Sequence, residues 1–463
     1  MKLTRDMTKG NIHKAYLGFA FPLIFSLLLS QAYSTVDAVI AGKFINENAL
    51  GAISATGSYE LLFNSLFSGF AAGFGIYTAQ QFGKGDFASV KQDIVSMGIF
   101  VASIAAAISL LSIILRDPIM NYLKVDPILR YDAEIYFVIY TAGYILSYLN
   151  LLMVQVLYAL GITSVSLLVS FISAAVKIGG NLLSVTVLDF GIAGLGFFTV
   201  LSSAATTICY LLILKKAFKE LKSEKTPFRF RFACLTNSVK YTLPAAIQQA
   251  AFHGVGLIIA PCINGLGAAA TTGYNVSNRI YSIGTISLWS VTNAFNCYTA
   301  QCVGKGDYKL IGRGIKTGFF LNCVMMLPFV FVLSFFARPI VSIFFPDSFT
   351  GYAYNYAVCY ATIWLPLVYV QLVGHMLHSY MRSLGQVNIV LWITLLVSAV
   401  RVISTILLTP FMHIEGAYMG QVISWSIDAI ISIAIVACRY RTSEQLKSIV
   451  EFAQKKHTPP KVV

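Results

Sequence analysis

Apolar residues run through this chain in long blocks, with no sustained alternation of apolar and polar positions. Many of the blocks hold about 20 residues or more, the length a helix needs to cross the hydrocarbon core of a bilayer. Breaks at Gly, Pro and clusters of charge divide the chain into twelve predicted spans. These are residues 15–42, 49–82, 89–115, 133–160, 163–188, 191–214, 238–264, 268–303, 311–344, 352–383, 387–410 and 415–438. The first block, from Ala15 to about Phe44, is too long for the core of a signal peptide and lacks a small-residue cleavage site. It reads as a retained first helix.

Composition agrees with the pattern. Of 463 residues, 57% are hydrophobic and 11% charged, with a mean hydropathy of +0.74. An average soluble domain is roughly 25% charged, so a soluble reading is excluded and no stretch is left for a separate soluble domain. The eight cysteines show no metal-ligand spacing and lie mostly inside apolar blocks, where a thiol behaves as a small hydrophobe. Neither a metal site nor a disulfide framework is expected.

The net charge of +14 is unevenly placed. Lys43, Arg116, Lys124, Arg130 and Arg338 lie on one set of loops, and Lys177, Arg279 and Arg401 lie within spans. The other 25 of the 33 Lys and Arg fall on the opposite side, among them Lys215, Lys216, Lys219, Lys222, Lys225, Arg229 and Arg231 in the central connector. The positive-inside rule then puts both termini in the cytoplasm of a multi-pass protein of the cell membrane. Spread over loops in this way, the charges do not form the single groove of a nucleic-acid binder.

An internal repeat is the most specific feature. The segment Tyr77-Thr78-Ala79-Gln80-Gln81-Phe82-Gly83-Lys84-Gly85-Asp86-Phe87 recurs as Tyr298-Thr299-Ala300-Gln301-Cys302-Val303-Gly304-Lys305-Gly306-Asp307-Tyr308, 221 residues later. Pro22 pairs with Pro244, Leu160-Gly161 with Leu384-Gly385, and Lys177 with Arg401, at offsets of 222 to 224. The expected fold class is therefore an all-α membrane protein, with twelve transmembrane helices in two homologous six-helix lobes of parallel topology. The expected divisions are an N-lobe over 1–217, a basic connector over 218–237, a C-lobe over 238–440 and a cytoplasmic tail over 441–463. Two such bundles are the layout of alternating access around a central site, where one bundle rocks against the other.

The stretch from Phe21-Pro22 through Asp37 and Gly42-Lys43-Phe44 to the Gln80-x-x-Gly-x-Gly-Asp86 loop resembles the first two helices of the multidrug and toxic compound extrusion (MATE) family. The second half resembles it through Leu243-Pro244, Gln248, Asn264, Arg279-Ile280, the second Gly-x-Gly-Asp and Arg401. That likeness implies an exporter of small organic solutes. It also implies a carboxylate at the position of Asp37 that couples transport to protons. Proton-coupled relatives pair it with an Asn and, four residues later, an Asp on the fifth helix, where this chain has Lys177 and Asn181. Relatives with a C-lobe carboxylate follow the Arg-Ile of the eighth helix with Glu, where this chain has Tyr281, so a cation site of that type is not expected here.

An ionisable group deep in a span costs on the order of 2.5–3.5 kcal/mol, so each one is a functional candidate. Those here are Asp37, Glu60, Lys177, Arg279, Arg401 and Asp428. Asp37 is about 22 residues into its span, roughly 33 Å at 1.5 Å per residue, while Lys177 and Asn181 lie roughly 21 and 27 Å into the fifth span on one face. A contact between Asp37 and Lys177 would act as a switch, since protonating the acid weakens its hold on the cation. A static ion pair locking the two helices is the competing reading. Asp37, Glu60, Lys177 and Asn181 are thus the candidate coupling residues. Gln31, Asn64, Tyr140, Asn150, Gln248, His253, Tyr281, Arg279, Arg401 and Asp428 are candidates for the solute cavity, with helix packing the alternative for each polar residue.

The expectation is a secondary antiporter, not an enzyme, that expels amphipathic organic solutes, cationic ones first, against proton influx through Asp37. It would act as a monomer with no cofactor beyond the coupling proton or sodium ion. No Gly-x4-Gly-Lys-Ser/Thr loop supports ATP hydrolysis. Sodium coupling is one alternative. Export of an anionic or lipid-linked substrate is another, since Lys177 and Arg401 would suit an anionic group.

Overall fold

The computed structural model describes residues 4–40, 47–123, 125–221, 230–345 and 351–439, apart from the side chains of 34, 35, 37–39, 47–50, 54, 55, 58 and 308. Much of the connector and the whole 441–463 tail lie outside the described residues. The chain forms two compact units. Unit 1 comprises Met1–Asp6 and Phe21–Ala246, and unit 2 comprises Met7–Ala20 and Ile247–Val463.

Unit 1 is built on the second half of α1 (Ile12–Ile40), α2 (Glu47–Lys84), α3 (Phe87–Ile114), the short α4 (Arg116–Tyr122), α5 (Pro127–Ala142), α6 (Tyr144–Ala159), α7 (Ser164–Thr186), α8 (Gly191–Glu220) and the first half of α9 (Phe232–Asn264). Unit 2 takes the first turns of α1, the rest of α9, then α10 (Ala268–Gly284), α11 (Ile286–Lys305), α12 (Tyr308–Phe335), α13 (Ala337–Ser342), α14 (Tyr352–Cys359), α15 (Val368–Ser383), α16 (Val387–Met412) and α17 (Ile414–Arg439). Along α1 the unit changes between Ala20 and Phe21, beside Pro22, and along α9 between Ala246 and Ile247, just past Pro244. Proline removes a backbone donor and loosens a helix, so both changes fall at points of reduced stiffness.

Among the described residues, ten helices are long and apolar enough to cross a membrane, and α5 with α6, bent by 48° at Gly143, makes an eleventh. The predicted span at 268–303 is formed by α10 and α11, which are less apolar because they carry Asn275, Asn278, Arg279 and Asn293. Between α14 and α15 a π-helical turn (Tyr360–Trp364) runs into a 3-10 turn at Leu365–Leu367, where Pro366 has no N–H to continue the ladder.

The repeat corresponds to a turn built twice. Gly85 and Gly306 are left-handed, at φ +83° and +75°, and each is followed by an Asp that caps the next helix. Asp86 accepts from the Ser89 N–H at 3.1 Å and Asp307 from the Leu310 N–H at 3.3 Å. Glycine reverses the chain without strain and aspartate satisfies an orphan donor of α3 or α12, which explains why Gly-Asp is kept in both halves. The second repeated glycine pair behaves alike, with Gly161 at φ +73° and Gly385 at φ +83°.

These glycines differ in their surroundings. A Cβ at Gly85 meets nothing within 4 Å, whereas a Cβ at Gly161 would lie 2.4 Å from the Arg5 carbonyl oxygen, and the Arg5 N–H donates to the Leu160 carbonyl at 3.0 Å. Gly85→Ala is expected to cost only the left-handed penalty of roughly 1–2 kcal/mol. Gly161→Ala adds a backbone clash and should lower the thermal unfolding midpoint further in detergent; equal losses would rule out the clash.

Candidate functional site

Polar and charged side chains gather at two places inside the apolar helices, one in each unit. In unit 1 they surround Glu60 on α2, which is half-buried and accepts from Thr56 Oγ1 at 3.4 Å. Thr56, Glu60 and Asn64 recur one turn apart and share a face. Tyr136, Tyr140, Tyr144 and Tyr148 recur every fourth residue through the α5–α6 bend, with successive ring centroids 5.7, 5.6 and 4.9 Å apart. Phe67 of α2 stacks on Tyr148 at 3.8 Å. Tyr140 is within hydrogen-bonding reach of Asn64 and senses the charge of Glu60.

Lys177 of α7 joins this cluster. Its Nζ lies 5.6 Å from the centre of the Tyr33 ring on α1, a cation–π distance, and it interacts electrostatically with Glu60. Asp37 follows Tyr33 by one turn of α1, but its side chain lies outside the described residues. Asn181, one turn beyond Lys177, is buried, and Gln31 is exposed. Asn150 is engaged in packing: its Nδ2 donates to the Ser203 carbonyl at 2.9 Å and its Oδ1 accepts from Thr207 Oγ1 at 2.9 Å, tying α6 to α8.

In unit 2 the centre is Asp428 on α17. Its Oδ1 lies 2.8 Å from His378 Nε2 on α15 and accepts from Ser432 Oγ at 3.3 Å. The two helices come this close at a glycine, since a Cβ at Gly374 would lie 2.2 Å from Asp428 Oδ2. Arg401 lines the same cavity, while the close contact to Asp428 is made by His378. That cavity, about 50 Å³, has room for water but not for an organic solute. Gln248 borders it and donates to Thr394 Oγ1 at 3.1 Å. Arg382 and Arg401 also border it, and the Nε atom of each is buried without a hydrogen-bond partner.

A second cavity of about 280 Å³ is lined by His253, Asn264, Asn275, Tyr281 and Gln421, and Arg401 lines it too. Tyr281 exchanges hydrogen bonds with Gln371, at 2.7 and 3.0 Å, and stacks on Trp425. Gln371 contacts His375 at 3.1 Å, and the His375 ring packs edge-on against Trp289 at 4.8 Å. Arg279 is exposed and lines neither cavity. With two guanidinium groups, Arg382 and Arg401, beside the Asp428 carboxylate, the lining is net cationic and offers donors to an acceptor group.

The sequence model of the family described as MatE matches residues 22–183 and 244–407, one stretch in each half. The chain belongs to the MATE family. Among curated MATE-like relatives, the probable multidrug resistance protein YpnP of Bacillus subtilis (strain 168) is 25% identical over 312 residues, 66% of this chain and 68% of the relative. The probable multidrug resistance protein YoeA of the same organism is 20% identical over 444 residues, covering 93% and 94% of the two chains. A crystal structure of MATE in complex with MaL6 superposes with a TM-score of 0.85 at 14% identity, covering 97% of this chain and 98% of that one. This chain is thus a multi-pass membrane transporter with the two-lobe, twelve-helix MATE fold.

Sequence reasoning passed over Arg382 and Gln371. The signal was present, since Gln371, His375, His378 and Arg382 are spaced 4, 3 and 4 apart and form one polar stripe on α15. Removing the partner of a buried carboxylate strands its charge, at a cost of about 3–5 kcal/mol, while removing both groups is far milder. His378→Leu is therefore expected to lower the unfolding midpoint in detergent, and adding Asp428→Asn should restore most of it. A double variant as unstable as the single one would show that His378 does not act by compensating the Asp428 carboxylate.

Proposed function

We propose that this MATE transporter is a secondary antiporter that exports amphipathic organic solutes, cationic ones in the first instance, by alternating access coupled to proton influx through Asp37. The observation that carries the reading is the convergence of Glu60, Lys177 and a tyrosine ladder in unit 1, one helical turn from Tyr33 to the position of Asp37. Carboxylates in an apolar surround exchange a proton for a change in local charge, and Lys177 is the group that registers the change. Stacked tyrosine rings offer π-faces to a cationic or aromatic solute. The names of the two Bacillus relatives as probable multidrug resistance proteins support export of drug-like molecules. The working unit is a monomer in the cell membrane, with both termini cytoplasmic and no cofactor beyond the coupling ion.

The test is movement of a fluorescent cationic dye in proteoliposomes under an imposed pH gradient. Wild type is expected to respond, Asp37→Asn to fall to the rate seen without a gradient, and Glu60→Gln to lie between. If a sodium gradient drives the dye and a pH gradient does not, the proton-coupled reading gives way to sodium coupling.

A second reading rests on the unit 2 cavities. Arg382 and Arg401 present buried guanidinium groups there, which favours solutes carrying an acidic group. Arg401→Gln should then slow transport of an anionic dye and leave a cationic dye unaffected; the opposite pattern would assign Arg401 to packing.

A further inference from the structure

Away from both clusters, unit 1 carries a cavity of about 570 Å³ between α3, α6 and α8. Its wall is almost wholly apolar, including Ile94 and Ile99 of α3, Leu152 and Met153 of α6, and Leu211 and Leu214 of α8. Lys91 and Lys215 are the charged residues that line it. They mark one end, because Lys91 lies a turn inside the start of α3 and Lys215 lies near the finish of α8. From these lysines we infer that the groove holds one acyl chain of an anionic phospholipid, with the headgroup phosphate at Lys91 and Lys215.

Three observations select this occupant. The first is length: from Lys91 to Ala102 the α3 wall rises eleven residues, roughly 16 Å at 1.5 Å per residue. This is about half of a hydrocarbon core roughly 30 Å thick, the depth of one leaflet. The second is charge. Lys216 and Lys219 extend the basic end of α8 and are exposed. Of the acids at this end of the two helices, Glu220 accepts from the Thr4 N–H and hydroxyl at 3.3 and 2.9 Å, and Asp93 is bound by Arg231 at 3.4 Å and Tyr77 at 3.1 Å. Basic residues at the edge of a span attract anionic headgroups. The third is shape, since a Cβ at Gly98 meets nothing within 4 Å, so a missing side chain widens the groove midway.

The test is native mass spectrometry of the full-length protein released from detergent, with phosphatidylglycerol or phosphatidylcholine of identical acyl chains added at equal ratios. Wild type should retain phosphatidylglycerol in preference by about thirtyfold, the effect of two interfacial lysines. Lys91→Gln with Lys215→Gln should bring phosphatidylglycerol down to the phosphatidylcholine level. Gly98→Leu, which has room for its side chain, should reduce retention of both lipids while the unfolding midpoint holds. The proposal is overturned if the double variant keeps the preference, or if folded Gly98→Leu retains both lipids as wild type does.

Discussion

A charge in hydrocarbon must be matched by a partner or reach water, and the interior of this transporter is arranged around that constraint. Described charges within the spans are rarely solitary. Asp93 near the start of α3 is bound by Arg231 and Tyr77, Asp428 by His378, and Glu60 lies within the electrostatic reach of Lys177. The Asp93–Arg231 pair has an architectural task. Together with the bond from the Arg231 N–H to Ser96 Oγ at 2.9 Å, it fixes the start of α9 against α3, where the chain returns from the connector. The Asp428–His378 pair borders a cavity, so the same physical requirement there leaves a polar lining that water can reach.

The backbone is governed by a related demand, because a turn at the membrane edge must satisfy its own N–H and C=O groups. Left-handed glycines followed by capping aspartates do this at both copies of the repeated motif. Within the bundles, small residues set how closely helices pack. A Cβ at Gly180 would enter the Phe198 ring and a Cβ at Gly416 would meet the Leu408 backbone, so α7 with α8 and α16 with α17 form tight antiparallel pairs.

Much of this could be read from the sequence because membranes simplify the code. Block length reports a span whatever the tertiary context, and the Gly-Lys-Gly-Asp copies are legible because a left-handed glycine and a helix cap admit few substitutes. Span ends were less legible: α5 begins at Pro127, six residues before the expected start, since a bent helix pair has no single apolar block. The site was read in part. Glu60, Lys177, Arg401 and Asp428 stood out as charges in apolar surroundings, but Arg382 lies at the edge of its block, where a cation looks like loop solvation. Asn150 looked like a cavity residue and is held by Ser203 and Thr207, a partnership that depends on how α8 rotates against α6.

The repeat also explains why the two lobes differ in polarity. Lys177 and Arg401 are related by 224 residues, so both lobes keep a cation at one place. At the offset of 221 that aligns α2 with α10 and α11, Glu60 corresponds to Tyr281, and Tyr281 and Arg401 line one cavity just as Glu60 and Lys177 share one cluster. At the offset of 222 set by the two prolines, Asp37 corresponds to the buried Ile259. The duplicated cation thus has an acid, Glu60, as company in the first half and a phenol, Tyr281, in the second. Asp428 is no counterpart of these acids, because its repeat equivalent is Ala204 and its carboxylate faces His378 at 2.8 Å. Divergence at two positions is enough to leave the cation of the first half beside a carboxylate and that of the second half in a net positive surround.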